Sequence, residues 1–187
     1  MKILFINACP RKDSRTLKLA SYLLSKLDGD VIELNLMDLD ILPLNAERLD
    51  KRNKLLSEGR LDAPIFKEAR LFKESNLIVI ATPYYDLSFS AYLKTFIEHI
   101  NIDGLTFKFT DDGKYQKMCK AKVCYYITTS GGELYLDYGF NYIKNLCQLF
   151  YGIDEVKLIK AENLDIVGID VEKELDKAKQ DIDKLFK

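Results

Sequence analysis

Five short apolar runs, each separated from the next by a stretch with helical spacing, limit what this chain can become. The runs are predicted as strands at Lys2–Ile6, Asp30–Leu34, Asn76–Ala81, Ala121–Thr128 and Val156–Lys160. Between the first two, Ser14–Leu27 places Leu17, Ala20, Leu24 and Leu27 three, four and three residues apart, as one face of a helix requires. Ser88–Ile100 also reads as a helix. Leu136–Phe150 carries Phe140, Ile143, Cys147 and Phe150 on one stripe, and Val171, Leu175, Ala178, Ile182 and Leu185 mark a closing amphipathic helix. Strands that alternate with helices form a parallel sheet with helices on both faces. The unbroken apolar character of Leu77-Ile78-Val79-Ile80 fits a strand buried on both sides.

The expected architecture is therefore α/β: a doubly wound, five-stranded parallel sheet of flavodoxin-like strand order 2-1-3-4-5. The chain has 187 residues, enough for one domain with a substantial core, and no linker, repeat or low-complexity stretch divides it. The segment Pro43–Leu71 is long for a connection and heavily charged, with Pro64 expected to open the helix before the third strand. A hydrophobic fraction of 48% and a charged fraction of 30% are those of an ordinary soluble protein. A net charge of −1 argues against a nucleic-acid partner held by counterion release. No apolar run reaches the roughly 18 residues of a membrane span. The apolar start Met1–Ile6 is too short for an export signal, and Asn7 and Arg11 follow it without a small-residue cleavage pattern, so the expected compartment is the cytoplasm. Cys9, Cys119, Cys124 and Cys147 have neither zinc-site nor CxxC spacing, so free thiols and no metal are expected.

In such a sheet, ligands bind beyond the carboxyl ends of the strands at the switch point. Three loops therefore matter. The first, Cys9-Pro10-Arg11-Lys12-Asp13-Ser14-Arg15-Thr16, leads into a helix. A helix start offers unpaired N–H groups and the positive end of a dipole, Ser14 and Thr16 add hydroxyls, and Arg11 and Arg15 add forked cationic donors. That chemistry suits a phosphate. The GK[ST] ending and GxGxxG are both absent, which disfavours a nucleotide triphosphatase or a dinucleotide fold. An ordinary helix capped by Asp13 or Ser14 would show the same residues. The second loop, Thr82-Pro83-Tyr84-Tyr85-Asp86-Leu87, presents two flat amphipathic rings, or simply covers the sheet end. The third, Thr128-Thr129-Ser130-Gly131-Gly132, has two glycines that permit positive φ or close backbone approach, as a plain turn also would. One loop for a phosphate and two for a planar ring, all on one sheet edge, outline FMN.

These loops resemble those of the FMN-dependent NADH-azoreductases, also described as FMN-dependent NADH:quinone oxidoreductases. The family's Ser-x-Ser/Thr element is matched by Ser14-Arg15-Thr16, and its Pro-Met-Tyr-Asn-Phe loop by Pro83-Tyr84-Tyr85-Asp86-Leu87, followed by Leu93-Lys94. Gly-Val-Thr-Phe-Arg-Tyr-Thr is matched by Gly104 to Thr110, and Ser-Arg-Gly-Gly by Thr129 to Gly132. The segment Gly152-Ile153 through Ala161-Glu162 is also similar, and the match is weakest over residues 40 to 65. The resemblance implies FMN held by Cys9 (usually Ser), Ser14, Arg15, Thr16, Tyr84, Tyr85, Asp86, Leu87, Thr129, Ser130, Gly131 and Gly132; the loop chemistry adds Arg11 and Pro83 to the expected cofactor-binding set. It also implies a homodimer with the flavin near the subunit interface, and alternating use of one site by NADH or NADPH and by a quinone or azo acceptor.

Three departures from the family fall on the flavin loops. Asp86 stands in place of Asn, Leu87 in place of an aromatic, and Ser130 in place of Arg. A carboxylate near the ring disfavours a negatively charged reduced flavin unless it points away or is protonated. Phe107 and Phe109 are candidates for the acceptor pocket, or else core or dimer contacts. Hydride transfer is chemistry that the flavin carries, so no catalytic triad or carboxylate pair is expected, and Tyr85 is the one candidate for polarising the acceptor. His99, alone in a predicted helix, is expected to be structural or exposed. The competing readings are a flavodoxin-type electron carrier and a module that binds a phosphometabolite without flavin.

Overall fold

The structure, a computed structural model, describes residues 1–186. In chain order its elements are β1 (Lys2–Asn7), α1 (Arg15–Leu24), β2 (Asp30–Asn35), α2 (Ala46–Ser57), α3 (Lys67–Glu74), β3 (Leu77–Ala81), α4 (Ala91–Ile100), β4 (Phe107–Phe109), β5 (Tyr115–Lys117), β6 (Val123–Thr129), α5 (Tyr138–Leu146), β7 (Glu155–Ala161) and α6 (Val171–Lys184). Five of the strands form one parallel sheet in the order β2-β1-β3-β6-β7. Counted within that sheet, this is the expected order 2-1-3-4-5.

The strand period of two divides the core into two layers. Ile3, Phe5, Val79 and Ile127 point to one face, where Leu19 and Leu23 of α1 and Leu175 and Ile182 of α6 cover them. Leu4, Ile6, Ile78 and Tyr126 point to the other, under Phe72 of α3, Phe96 of α4 and Ile143 of α5. Every residue of β3 is buried, which accounts for its unbroken apolar run. Each such side chain contributes about 1.5–3 kcal/mol on burial.

The structure adds two elements to the expected set. Helix α2 lies within the charged segment Pro43–Leu71, capped by Asn45, whose side chain accepts from the Arg48 N–H. It buries no residue fully, so it leaves no strong apolar stripe in the sequence. Strands β4 and β5 pair as an antiparallel hairpin of three residues each, too short to show alternation. Phe107 and Tyr115 of this hairpin pack on Phe150, and Phe109 packs on Phe107 and Tyr115. Pro64 opens a tight turn, Pro64–Phe66, that runs into α3. The stripe through Phe150 is continuous but not one regular helix: α5 passes into a wider turn over Cys147–Tyr151, and Gly152 at φ 78° lets the chain reverse. Among the described residues, no helix is long and apolar enough to cross a membrane. All four cysteines are buried, unpaired thiols.

Candidate functional site

The three loops converge at the carboxyl ends of β1, β3 and β6 around a cleft of about 400 Å³. Pro10, Arg11, Asp13, Ser14, Arg15 and Thr16 line it from the first loop, Pro83, Tyr84 and Tyr85 from the second, and Thr129, Ser130 and Gly131 from the third. Cys9, Asp86, Leu87 and Gly132 stand beside the cleft rather than on its wall. Leu164 and Asp165, in the connection from β7 to α6, complete the lining. Nothing in the sequence marked this fourth segment, since it carries no motif and follows an edge strand away from the switch point.

At the first loop, Ser14 is the N-cap of α1, with φ −60° and ψ 129°, and its hydroxyl oxygen accepts from the Leu17 N–H at 3.4 Å. The Lys18 N–H bonds to the Ser14 carbonyl. The N–H groups of Arg15 and Thr16 have no protein acceptor among the described residues. They belong to the first turn, where helices leave donors open to a ligand. Thr16 is fully buried, and its hydroxyl meets that of Thr129 at 2.6 Å, tying α1 to the end of β6. Arg15 extends along the rim, donating from Nη1 to the Leu164 carbonyl at 3.2 Å and to Asp165 Oδ1 at 2.7 Å. Cys9 lies beneath the loop with Sγ 3.6 Å from the Ala81 carbonyl. Burial pushes its thiol up to about 11, against the lowering effect of the Ser14 hydroxyl, so it is a neutral thiol at neutral pH.

The second loop is built by different means. Tyr85 and Ser88 exchange both backbone bonds, at 2.8 and 3.0 Å, around Asp86 at φ 49° and Leu87 at φ 66°. Two consecutive left-handed residues define the tight turn that normally selects Asn-Gly. An L-residue in that region costs on the order of 1 kcal/mol, and such strain persists only where neighbours enforce it. Here the Thr82 N–H bonds to the Ile127 carbonyl, the Tyr84 N–H to the Thr129 carbonyl, and the Tyr84 hydroxyl donates to the Leu136 carbonyl at 2.6 Å. The turn also explains why α4 starts at Ala91 and not at Ser88: the chain is still closing the loop. Asp86 occupies an exposed corner of the turn.

At the third loop the expected positive φ is absent from both Gly131 and Gly132. The glycine requirement at 131 is one of space: a Cβ there would lie 2.4 Å from Asp165 Oδ2. The carbonyls of Gly131 and Gly132 accept from the N–H groups of Asp165 and Asn163, while their own N–H groups have no protein acceptor among the described residues. The remaining candidates lie elsewhere. Phe107 is buried in the hairpin's aromatic cluster, Phe109 is exposed beside it, and neither lines the cleft. His99 bonds through Nε2 to the Leu42 carbonyl, a structural contact.

The donor set fits a phosphate at one end: two open helix N–H groups, the Ser14 and Thr16 hydroxyls, and two guanidinium groups. At the other end, two tyrosines and open backbone N–H groups fit a flat ring with carbonyl edges. FMN has both parts.

A family model described as flavodoxin-like fold matches residues 1–186. The chain is 32% identical to an FMN-dependent NADH:quinone oxidoreductase of Coprothermobacter proteolyticus, over 100% of this chain and 98% of that one. It is 35% identical to FMN-dependent NADH:quinone oxidoreductase 2 of Clostridium acetobutylicum, over 91% and 90%. Among solved structures, an azoreductase from Bacillus anthracis superposes with a TM-score of 0.85 at 20% identity, covering 99% of this chain and 98% of that one. An FMN-dependent NADH-azoreductase from the same species, solved in complex with FMN, gives 0.82 at 21% identity, covering 98% and 96%.

Proposed function

This chain belongs to the flavodoxin-like fold family, alongside the FMN-dependent NADH:quinone oxidoreductases, and from that premise we propose that it is an FMN-dependent oxidoreductase passing electrons from NADH to quinones or azo compounds. The observation that carries the reading is the meeting, in one cleft, of open first-turn N–H groups at Arg15 and Thr16 with the tyrosine-bearing turn.

When bound, FMN would supply two-electron redox chemistry between a nicotinamide and an acceptor. The protein's part is placement. Arg11, Ser14, Arg15 and Thr16 hold the phosphate, with Cys9 packed beneath as a neutral filler. The backbone of Pro83–Leu87 and of Thr129–Gly132 orients the ring. Tyr85, half exposed at the cleft mouth, is placed to donate to an acceptor oxygen or nitrogen. A Tyr85→Phe protein with unchanged turnover on both quinone and azo acceptors would remove that role.

A second copy of the chain completes the reading. Tyr85, Leu87, Tyr92, Tyr135, Leu136 and Tyr138 are large apolar side chains left exposed on this chain, a feature in keeping with a homodimer. The proposed compartment is the cytoplasm, and NADPH is an alternative donor. The deciding experiment is a visible spectrum. Protein incubated with FMN and desalted should keep flavin bands, bleach with NADH without oxygen, and recover colour with a quinone. A colourless protein overturns the reading and favours a phosphometabolite module. Flavin that NADH does not bleach points to an electron carrier. Steady-state lines should be parallel, as alternating use of one site requires.

A further inference from the structure

The fourth segment of the cleft has a construction that the FMN reading does not explain. Asp165 makes three contacts with two other segments of the cleft. Its Oδ1 accepts from Arg15 Nη1 at 2.7 Å, its Oδ2 lies over Gly131 where a Cβ would be 2.4 Å away, and its own N–H bonds to the Gly131 carbonyl at 3.0 Å. The neighbouring Leu164 N–H bonds to the Ser130 carbonyl, and the Leu164 carbonyl takes a second bond from the same Arg15 nitrogen, at 3.2 Å. A carboxylate beside a phosphate site is unfavourable unless something offsets it.

We propose that Asp165 is a positioning residue for the cofactor phosphate: with the Leu164 carbonyl it holds one nitrogen of the Arg15 guanidinium and so aims the remaining donors into the cleft. The proposal rests on the FMN reading above and deepens it. Two effects of Asp165 oppose each other. Its charge repels a phosphate, but its side chain is 70% exposed, so water and salt screen that repulsion. Its bond fixes a long, flexible side chain that is itself 39% exposed and would otherwise lose rotamer freedom on binding. Arg presents a planar fork, and anchoring one nitrogen at two acceptors leaves Nε and Nη2 with a set direction. Gly131 belongs to the same device, since any side chain there displaces the carboxylate. The anchor also couples the ends of the site: Arg15 is on the phosphate helix, and Gly131 is on the loop proposed for the ring.

The test measures affinity of the apoprotein for FMN and for riboflavin, which lacks the phosphate, by quenching of flavin fluorescence. Asp165→Ala should weaken FMN roughly fivefold and leave riboflavin within about twofold. A change that only loosened the fold would weaken both ligands together. In an Arg15→Ala background, Asp165→Ala should have no weakening effect, because a residue acting through Arg15 has nothing left to position. The proposal is overturned if Asp165→Ala tightens FMN, leaves the FMN-to-riboflavin ratio unchanged, or weakens FMN equally with and without Arg15. If the unaltered protein binds neither flavin, the FMN reading itself fails. If it binds FMN and the variants behave otherwise, only the role of Asp165 fails.

Discussion

The two ends of the cleft, proposed above for the cofactor's phosphate and for its ring, sit on the same sheet edge but are held by opposite means. The phosphate end is relaxed: Ser14 has the φ and ψ of an ordinary cap, its side chain satisfies Leu17, and the buried Thr16–Thr129 hydroxyl pair fastens the helix to β6. The ring end is tense, with Asp86 and Leu87 both at positive φ and no glycine between Tyr85 and Ser88. A relaxed anchor can be built from local preferences alone. A tense turn needs the surrounding sheet to impose it, through Thr82 and Tyr84 bonded to the carboxyl end of the neighbouring β6. Affinity should therefore reside mainly at the phosphate end, and shape at the ring end.

The largest expected effect separates the two ends directly. FMN should bind at least about a hundredfold more tightly than riboflavin, since two charge-assisted bonds at about 1.5–3 kcal/mol each are at stake. Equal affinities in a fluorescence titration would place the binding energy at the ring instead. Next, Thr16→Val should cost about 1–3 kcal/mol in urea unfolding of the apoprotein, because it leaves the buried Thr129 hydroxyl without its partner. An unchanged midpoint would break the claim that this bond fastens the relaxed end. At the tense end, Leu87→Gly should gain about 1 kcal/mol of stability, while Leu87→Val should lose a similar amount. A glycine variant that is less stable would show that the turn is not strained.

The smallest effect concerns the packing beneath the phosphate loop. Burial raises the Cys9 thiol from 9.0 to about 11 in the folded protein. The unfolded chain therefore ionises first as pH rises. The stability that Cys9 contributes is complete below pH 9 and is lost between pH 9 and about 11, amounting to about 0.8 kcal/mol by pH 9.5. Cys119, pushed up to about 12 by burial, adds a loss of the same sign. Comparison with Cys9→Ser isolates the part due to Cys9: the variant should lose less stability between pH 8 and 9.5, and an identical slope would exclude it.

The same contrast decides what was legible in the sequence. Strand order, the helices on both faces of the sheet and the capped start of α1 at Ser14 could all be read, because each follows from local periodicity or capping chemistry. The Tyr85–Ser88 turn was recognisable only as a loop, since Asp-Leu is not the pair that such a turn selects. Gly131 suggests either conformational freedom or close backbone approach in the sequence; in the structure its φ is not positive, and what crowds it is Asp165. Asp165 itself had no signal, because the partner that gives it meaning, Arg15, lies 150 residues away. Helix α2 and the β4–β5 hairpin escaped for a common reason: one buries no full side chain, and the other is too short for a period to show.

Helix α2 has a consequence of its own. It joins the body through the partly buried Leu55 and Leu56 and a bond from Arg52 to the Glu98 carbonyl, with no fully buried residue of its own. A segment so lightly held opens at a small fraction of the global unfolding free energy. Its amides should exchange with deuterated solvent well before those of β3, and a protease should first cut the native protein near residues 46–57. On this packing α2 is expected to open first, ahead of the sheet.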